Sequence, residues 1–160
     1  MHIGKFRHNI NVASEFHQLS KNDESAAEIM ASARHYKQAC YLIIQAIEKS
    51  IRAKIFSLVN PNIEYFRNRN RTHSVEDAIE FLIEISSTDN LVREQISNQI
   101  NIHVLGKTNY LQLHNNLRYP SYFKKYDSYS TLDVGSNDYE ELKRRLCLMR
   151  KFLDDLSKFQ

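Results

Sequence analysis

The stretch that decides the fold is Tyr36–Val59, YKQACYLIIQAIEKSIRAKIFSLV. It contains neither Gly nor Pro, and as one continuous helix it would extend about 36 Å at ~1.5 Å per residue. Cys40, Ile43, Ile44, Ile47, Ile51, Ile55 and Leu58 recur at spacings of three and four, which puts them on one helical face. Ala39, Leu42, Ala46 and Ala53 form a second row that widens the stripe, so the first half is apolar nearly all round. A helix of that kind needs neighbours on more than one side. Gln45, Glu48, Lys49, Arg52 and Lys54 interrupt the apolar run too often for a membrane span. The segment therefore reads as the central helix of a bundle.

Composition agrees with that reading. Three Gly and two Pro in 160 residues suit long helices with short connections better than a turn-rich sheet. A chain of this length is expected to form a single domain that buries about 68–70% of its unfolded surface. The net charge of +3 permits an anionic partner but is weaker than a strong nucleic-acid signature. Cys40 and Cys147 both fall on apolar helical faces and read as two buried, reduced thiols rather than a disulfide. The first residues, MHIGKFRHNINVAS, lack the apolar core of a secretory signal, so a cytoplasmic location is expected.

Outward from the central helix, residues 1–11 read as a loose lead-in and Asn11–Leu19 as one or two turns. Ser20–Asp23 read as a break that supplies capping oxygens to a helix over Glu24–Arg34, with Ala26, Ile29, Met30 and Ala33 buried. A tight bend near His35 would feed the central helix, and Asn60-Pro61-Asn62 would end it. Residues 62–73, polar and basic, read as an exposed connection. Ser74 with Asp77 three positions on marks a helix start, with Val75, Ala78, Ile79, Leu82 and Ile83 facing inward. Ser86–Asp89 closes that helix and caps the next, in which Val92, Ile96 and Ile100 repeat every four residues until Gly106. A shorter helix over about Thr108–Leu117 ends at Arg118-Tyr119-Pro120. Residues 121–136 have no helical period and form the longest irregular stretch, a candidate functional loop. The last helix is expected to open at Asn137 and run to about Lys158 around Leu142, Leu146, Met149, Phe152, Leu153 and Leu156. No strand is expected. The architecture is an all-α, antiparallel up-and-down bundle of four to five main helices. It covers residues 1–160 as one domain, with its core at about 24–158 and an N-terminal extension over 1–22.

Several segments also resemble one known family. Ala46-Ile47-Glu48-Lys49-Ser50-Ile51-Arg52-Ala53 is similar to the A-x-E-K-x-L-K-A run of HEPN domains (higher eukaryotes and prokaryotes nucleotide-binding), and Tyr36 and Ala39 match the Y-x-x-A before it. Thr72-His73-Ser74-Val75 resembles the family's T-H-D-L segment after a basic loop. Arg118-Tyr119-Pro120-Ser121 resembles its R-Y-P-D segment, followed by an irregular loop and a last long helix. The order is preserved over roughly residues 24–158, and no single motif is specific alone. The resemblance implies a helical bundle that often forms homodimers. It further implies one of three roles: a metal-independent ribonuclease, in many cases a toxin of a defence or toxin–antitoxin system; a partner of a separately encoded nucleotidyltransferase; or a binding module without catalysis.

The chemistry separates these roles. Ribonuclease members carry R-x4-6-H, in which a His takes the 2′-hydroxyl proton and an Arg stabilises charge developing on the phosphate. Arg118 stands at the Arg position, but the positions after four to six intervening residues hold Phe123, Lys124 and Lys125. A lysine is a poor general base unless its pKa is strongly lowered, so the departure argues against catalysis. Arg67 and His73 satisfy the spacing, yet with 11 Arg and 7 His in the chain such a pair is expected by chance. His73 is more simply the residue before a helix cap. Glu48 reads as the buried partner of Arg52, one turn away. His103 and His114 lack a carboxylate or Cys arrangement that would suggest a metal, and neither glycine-rich nucleotide motif occurs.

The expected function is therefore a catalytically degenerate HEPN protein, homodimeric, binding a nucleotide or RNA and acting as partner of a nucleotidyltransferase. A HEPN ribonuclease with a differently assembled site and a structural dimerisation or adaptor module are the alternatives. The candidate nucleotide-binding residues are Arg118, Tyr119, Lys124, Lys125, Arg52 and His73. The rings of Tyr119, Tyr122, Phe123, Tyr126 and Tyr129 interleave with the lysines as nucleic-acid-binding surfaces do. No catalytic residue, metal ligand, cofactor or membrane contact is assigned.

Overall fold

The computed structural model describes residues 2–158. The central helix, α2 (Tyr36–Leu58), packs against four others: α1 (Val12–Ser32), α4 (Val75–Ser86), α6 (Tyr110–Arg118) and α7 (Ser136–Ser157). The expected all-α bundle is what forms. Ile43, Ile47, Ile51 and Ile55 are fully buried along α2, each contributing about 1.5–3 kcal/mol by leaving water. Replacing Ile51 by Ala would cost about 2–5 kcal/mol. Among the described residues no helix is long and apolar enough to cross a membrane.

The N-terminal third departs from expectation in an instructive way. Ser20–Asp23 do not break the chain; they lie inside one continuous helix, α1, whose cap is Asn11 accepting from the Ser14 amide at 2.9 Å. Two of the polar groups read as caps, Ser20 and Asp23, are spent across the α1/α2 interface instead, while Asn22 accepts from Gln18 within α1. The Ser20 hydroxyl, 1% exposed, donates to the Ala46 carbonyl at 2.7 Å and meets the Ser50 hydroxyl at 2.7 Å. Asp23 pairs with Lys49. The buried face shifts accordingly: Ala27 is buried, whereas Ile29 is 67% exposed and Ala33 is exposed. The bend into α2 is made by Arg34 in the left-handed region at φ 63°, with the His35 amide donating back to the Met30 carbonyl.

The connection after α2 contains a short helix, α3 (Glu64–Arg69), anchored by a run of aromatic contacts. Phe66 stacks on Phe81 at 5.9 Å, Phe81 meets Phe56 edge-on at 6.2 Å, and Phe56 stacks on Phe16 at 5.8 Å. These rings tie α3, α4, α2 and α1 together. Helix α4 starts where expected, with the Asp77 amide donating to Ser74 Oγ at 3.0 Å. Helix α5 (Asn90–Gln99), capped by Asp89, runs on through a π turn over Ile100–Val104. It stops at Gly106, whose φ of 67° disfavours any residue with a Cβ.

Three further expectations are corrected. Residues 121–130 are not wholly irregular. They form a two-stranded antiparallel ribbon, β1 (Ser121–Phe123) and β2 (Ser128–Ser130), with Tyr122 opposite Tyr129 and Asp127 left-handed at the turn. Three-residue strands are too short to show alternation. Helix α7 opens one residue earlier than Asn137, with the Gly135 amide donating to Asp138 Oδ2 at 2.8 Å. Cys147 is exposed, because Leu146 and Met149 on either side of it take the buried face; only Cys40 is buried, and desolvation raises its thiol pKa to about 11.

Candidate functional site

On α2 the residues Tyr41, Gln45, Glu48 and Arg52 are spaced four, three and four apart, a polar row along an otherwise apolar helix. The row meets the turn at 70–74 on one side and α6 on the other. At its deep end Arg52 is 1% exposed and Glu48 5% exposed. Arg52 Nε donates to Glu48 Oε1 at 2.9 Å, one terminal nitrogen donates to Asn70 Oδ1 at 2.9 Å, and the other donates to the Thr72 carbonyl. A charge removed from water must be saturated in this way, so Arg52 is held by the fold and in turn holds the 70–72 turn. His73 follows directly. Its Nδ1 lies 3.7 Å from Glu48 Oε1 while its side chain is 73% exposed.

A narrow crevice lined by Gln45, Glu48, His73, Ser74, Tyr110 and His114 connects this end to α6. The start of α6 is fixed from across the bundle: Glu76 Oε1 accepts the Tyr110 and Leu111 amides at 2.6 and 3.2 Å. One turn into α6, the His114 ring lies on Tyr41 with centroids 4.8 Å apart, and its Nε2 is 2.9 Å from the Gln45 amide. Burial, reinforced by the Arg118 cation, pushes the His114 pKa below the ordinary histidine value, and Glu48 opposes the shift. The ring is neutral at neutral pH. The Gln45 amide nitrogen can only donate, so His114 Nε2 accepts and the neutral ring carries its proton on Nδ1, the nitrogen left to meet an incoming group as a donor.

At the open end, Arg118 and Tyr119 leave α6 at the rim of a groove of about 490 Å³, lined also by Lys37, Tyr41, Leu42 and Leu117. That volume suits a small ligand. The Arg118 guanidinium lies 4.8 Å from the Tyr119 ring centroid and 6.0 Å from that of Tyr41. Among the described residues it enters no ion pair. Cation–π contact orients the planar guanidinium while its N–H donors stay available to a phosphate or carboxylate.

The ribbon continues the surface. Tyr122, Phe123, Tyr126 and Tyr129 are 42–73% exposed, and Lys125 Nζ lies 5.4 Å from the Tyr126 centroid. Its one acid, Asp127, accepts from the Tyr122 hydroxyl. Lys37 to Thr131 at 2.8 Å and Ser121 to Asn116 at 2.6 Å moor the ribbon to the bundle at both ends.

Of the six candidate residues, Arg118 and Tyr119 thus share one groove, and Lys124 and Lys125 lie in the turn of the ribbon that follows it in the chain. His73 stands apart beside Glu48, and Arg52 faces inward. From the sequence, neither Tyr41 nor Gln45 is assigned to the site and His114 is weighed only as a metal ligand, yet these three join the two ends. The signal was present as the 41-45-48-52 row and as His114 and Arg118 one helical turn apart. Among the described residues no three His, Cys, Asp or Glu side chains converge as a metal site.

The fold is that of an all-α bundle in which the central helix carries a polar row under a basic, aromatic rim. A family model describing the HEPN domain matches residues 13–158, α1 included, and the chain belongs to the HEPN domain family. Comparison with curated proteins and with solved structures returned no match.

Proposed function

We propose that this HEPN protein binds a nucleotide or RNA at the Arg118 groove and the adjoining ribbon, without cleaving it. The observation that carries the reading is Arg118 itself: an exposed guanidinium framed by Tyr41 and Tyr119, with no internal ion pair among the described residues. A phosphate would take the guanidinium fork, and unpaired bases would stack on Tyr119 and the ribbon rings, with Lys124 and Lys125 adding charge. His73 would stand at the margin of this surface. Arg52 is best left out of the contacts, because reaching a ligand would cost it Glu48, Asn70 and Thr72. The protein acts as a homodimer beside a separately encoded nucleotidyltransferase; light scattering and co-purification with the neighbouring gene product test those two points.

Metal-independent RNA cleavage is the second reading, and one observation favours it. His114, its pKa lowered mainly by burial, sits one helical turn before Arg118 and stacks on Tyr41, which lines the Arg118 groove, although His114 itself lines the neighbouring crevice. To accept the 2′-hydroxyl proton it would have to release Gln45 and use Nε2, as that oxygen attacks phosphorus and the 5′-oxygen departs with a proton taken from water, leaving a 2′,3′-cyclic phosphate. Titration of a short single-stranded RNA in chelator-containing buffer, followed by both anisotropy and gel analysis, separates the two. Saturable binding with intact RNA supports the first reading. Turnover that disappears in both Arg118→Ala and His114→Ala replaces it with the second.

A further inference from the structure

A groove of about 610 Å³ runs between α1, α2 and α7 and shares no residue with the one at Arg118. Each of the three helices sends one cation into it: Lys21, Lys54 and Arg150. Arg150 forms a fixed floor, its side chain 20% exposed, with bonds to Ser20 Oγ at 3.0 Å and Ser50 Oγ at 3.3 Å and an ion pair with Glu24. Lys54 is placed differently. Its ammonium donates to the Ser157 hydroxyl; burial lowers its pKa, and Asp154 only partly opposes that. Lys21, about half exposed, reaches Glu24 only at 3.9 Å. Lys21, Lys54 and Arg150 therefore outnumber the two carboxylates near them, Asp154 on the groove wall and Glu24 paired with Arg150, and His17 adds a further basic group at the edge. Like charges gathered in a partly desolvated groove repel unless an anion joins them. Of the hydroxyls that line the same space, that of Ser14 is a potential donor to such an anion, whereas Ser57 donates to the Lys54 carbonyl and Ser50 to Ser20 Oγ. No Phe or Tyr lines it, and His17 is the single ring it offers for a base to stack on.

We propose that the α1/α2/α7 groove is a second binding site, taking a small phosphate polyanion of the pyrophosphate or tripolyphosphate class through Lys21 and Lys54 over the Arg150 floor. The ligand is recognised as charge and phosphate oxygen. The nucleotide surface at Arg118, by contrast, is built from rings.

Calorimetric titration of the full chain with pyrophosphate, alongside the same short RNA, tests the assignment. Wild type should bind pyrophosphate saturably. Lys21→Gln/Lys54→Gln should weaken pyrophosphate at least about tenfold, the order expected for lost charge-assisted hydrogen bonds, and should leave RNA affinity unchanged. Arg118→Ala should bind pyrophosphate as wild type does. Lys21→Gln alone, at an exposed position, gives the same readout at smaller amplitude should the double variant fold poorly. Absence of saturable pyrophosphate binding, equal binding by the lysine variants, or a loss that follows Arg118→Ala would each overturn the proposal. Loss of RNA binding alone in the lysine variants would make the groove part of the RNA path and likewise reject it.

Discussion

Arg52 and Arg118 lie on the same polar face of the bundle and could hardly differ more in surroundings. Arg52 is 1% exposed, with Nε and both terminal nitrogens bonded within the fold. Arg118 is exposed and touches two rings, and among the described residues it has no carboxylate partner. A desolvated guanidinium must be saturated internally and has nothing left to offer a ligand. A guanidinium held only by rings keeps its donors for whatever enters the groove. Two residues of identical chemistry thus divide into scaffold and contact by burial alone.

The largest expected effect falls on the buried side of that comparison. Glu48→Ala strands the Arg52 charge and should cost about 3–5 kcal/mol of stability in denaturant unfolding. A cost under about 1 kcal/mol would mean that the pair is not the structural element described. On the open side, Tyr119→Ala should leave stability within about 0.5 kcal/mol, as its ring is 60% exposed. The same change should weaken RNA binding by about 1–3 kcal/mol, the contribution of one stacked base; unchanged affinity would remove Tyr119 from the contact surface. Between the two regions, Ser74→Ala removes the α4 cap beside His73 and should cost about 1 kcal/mol, read as a shifted unfolding midpoint.

The smallest effect is on pH dependence. The folded-state pKa of His114 is lowered, so below its ordinary value of 6.5 the unfolded chain binds more protons than the folded one. Stability should therefore decline as pH falls through that value towards the folded pKa and level off above it. In His114→Gln this part of the slope should vanish. An unaltered slope would show that the ring is not desolvated as the packing on Tyr41 requires.

The central helix was legible because a long 3.6-residue period survives any context, and its boundaries, the bend at His35 and the Ser74 cap all follow from local rules. The continuous α1 was not legible, because Ser20 and Asp23 have the same oxygens whether they cap a helix end or bond to a neighbouring helix. Only the position of α2 decides between those uses. At the site, Arg118-Tyr119 was readable as a motif. The inward turn of Arg52 was half readable, through its i, i+4 relation to Glu48. Bringing His114 onto Tyr41 depends on how α6 docks against α2, which Glu76 governs from a third helix, and no local pattern carries that information. The ribbon escaped notice because its strands are too short for a period.

The account rests on Arg118 being a contact and Arg52 a support, and one paired measurement on Arg118→Ala addresses it directly. Thermal unfolding and anisotropy titration with a short single-stranded RNA should be run on the same preparation. The account predicts an unfolding midpoint equal to wild type and an affinity lowered about ten- to a hundredfold, the loss of a charge-assisted phosphate contact worth ~1.5–3 kcal/mol. A variant that binds RNA as tightly as wild type, or one that loses stability instead of affinity, would contradict it.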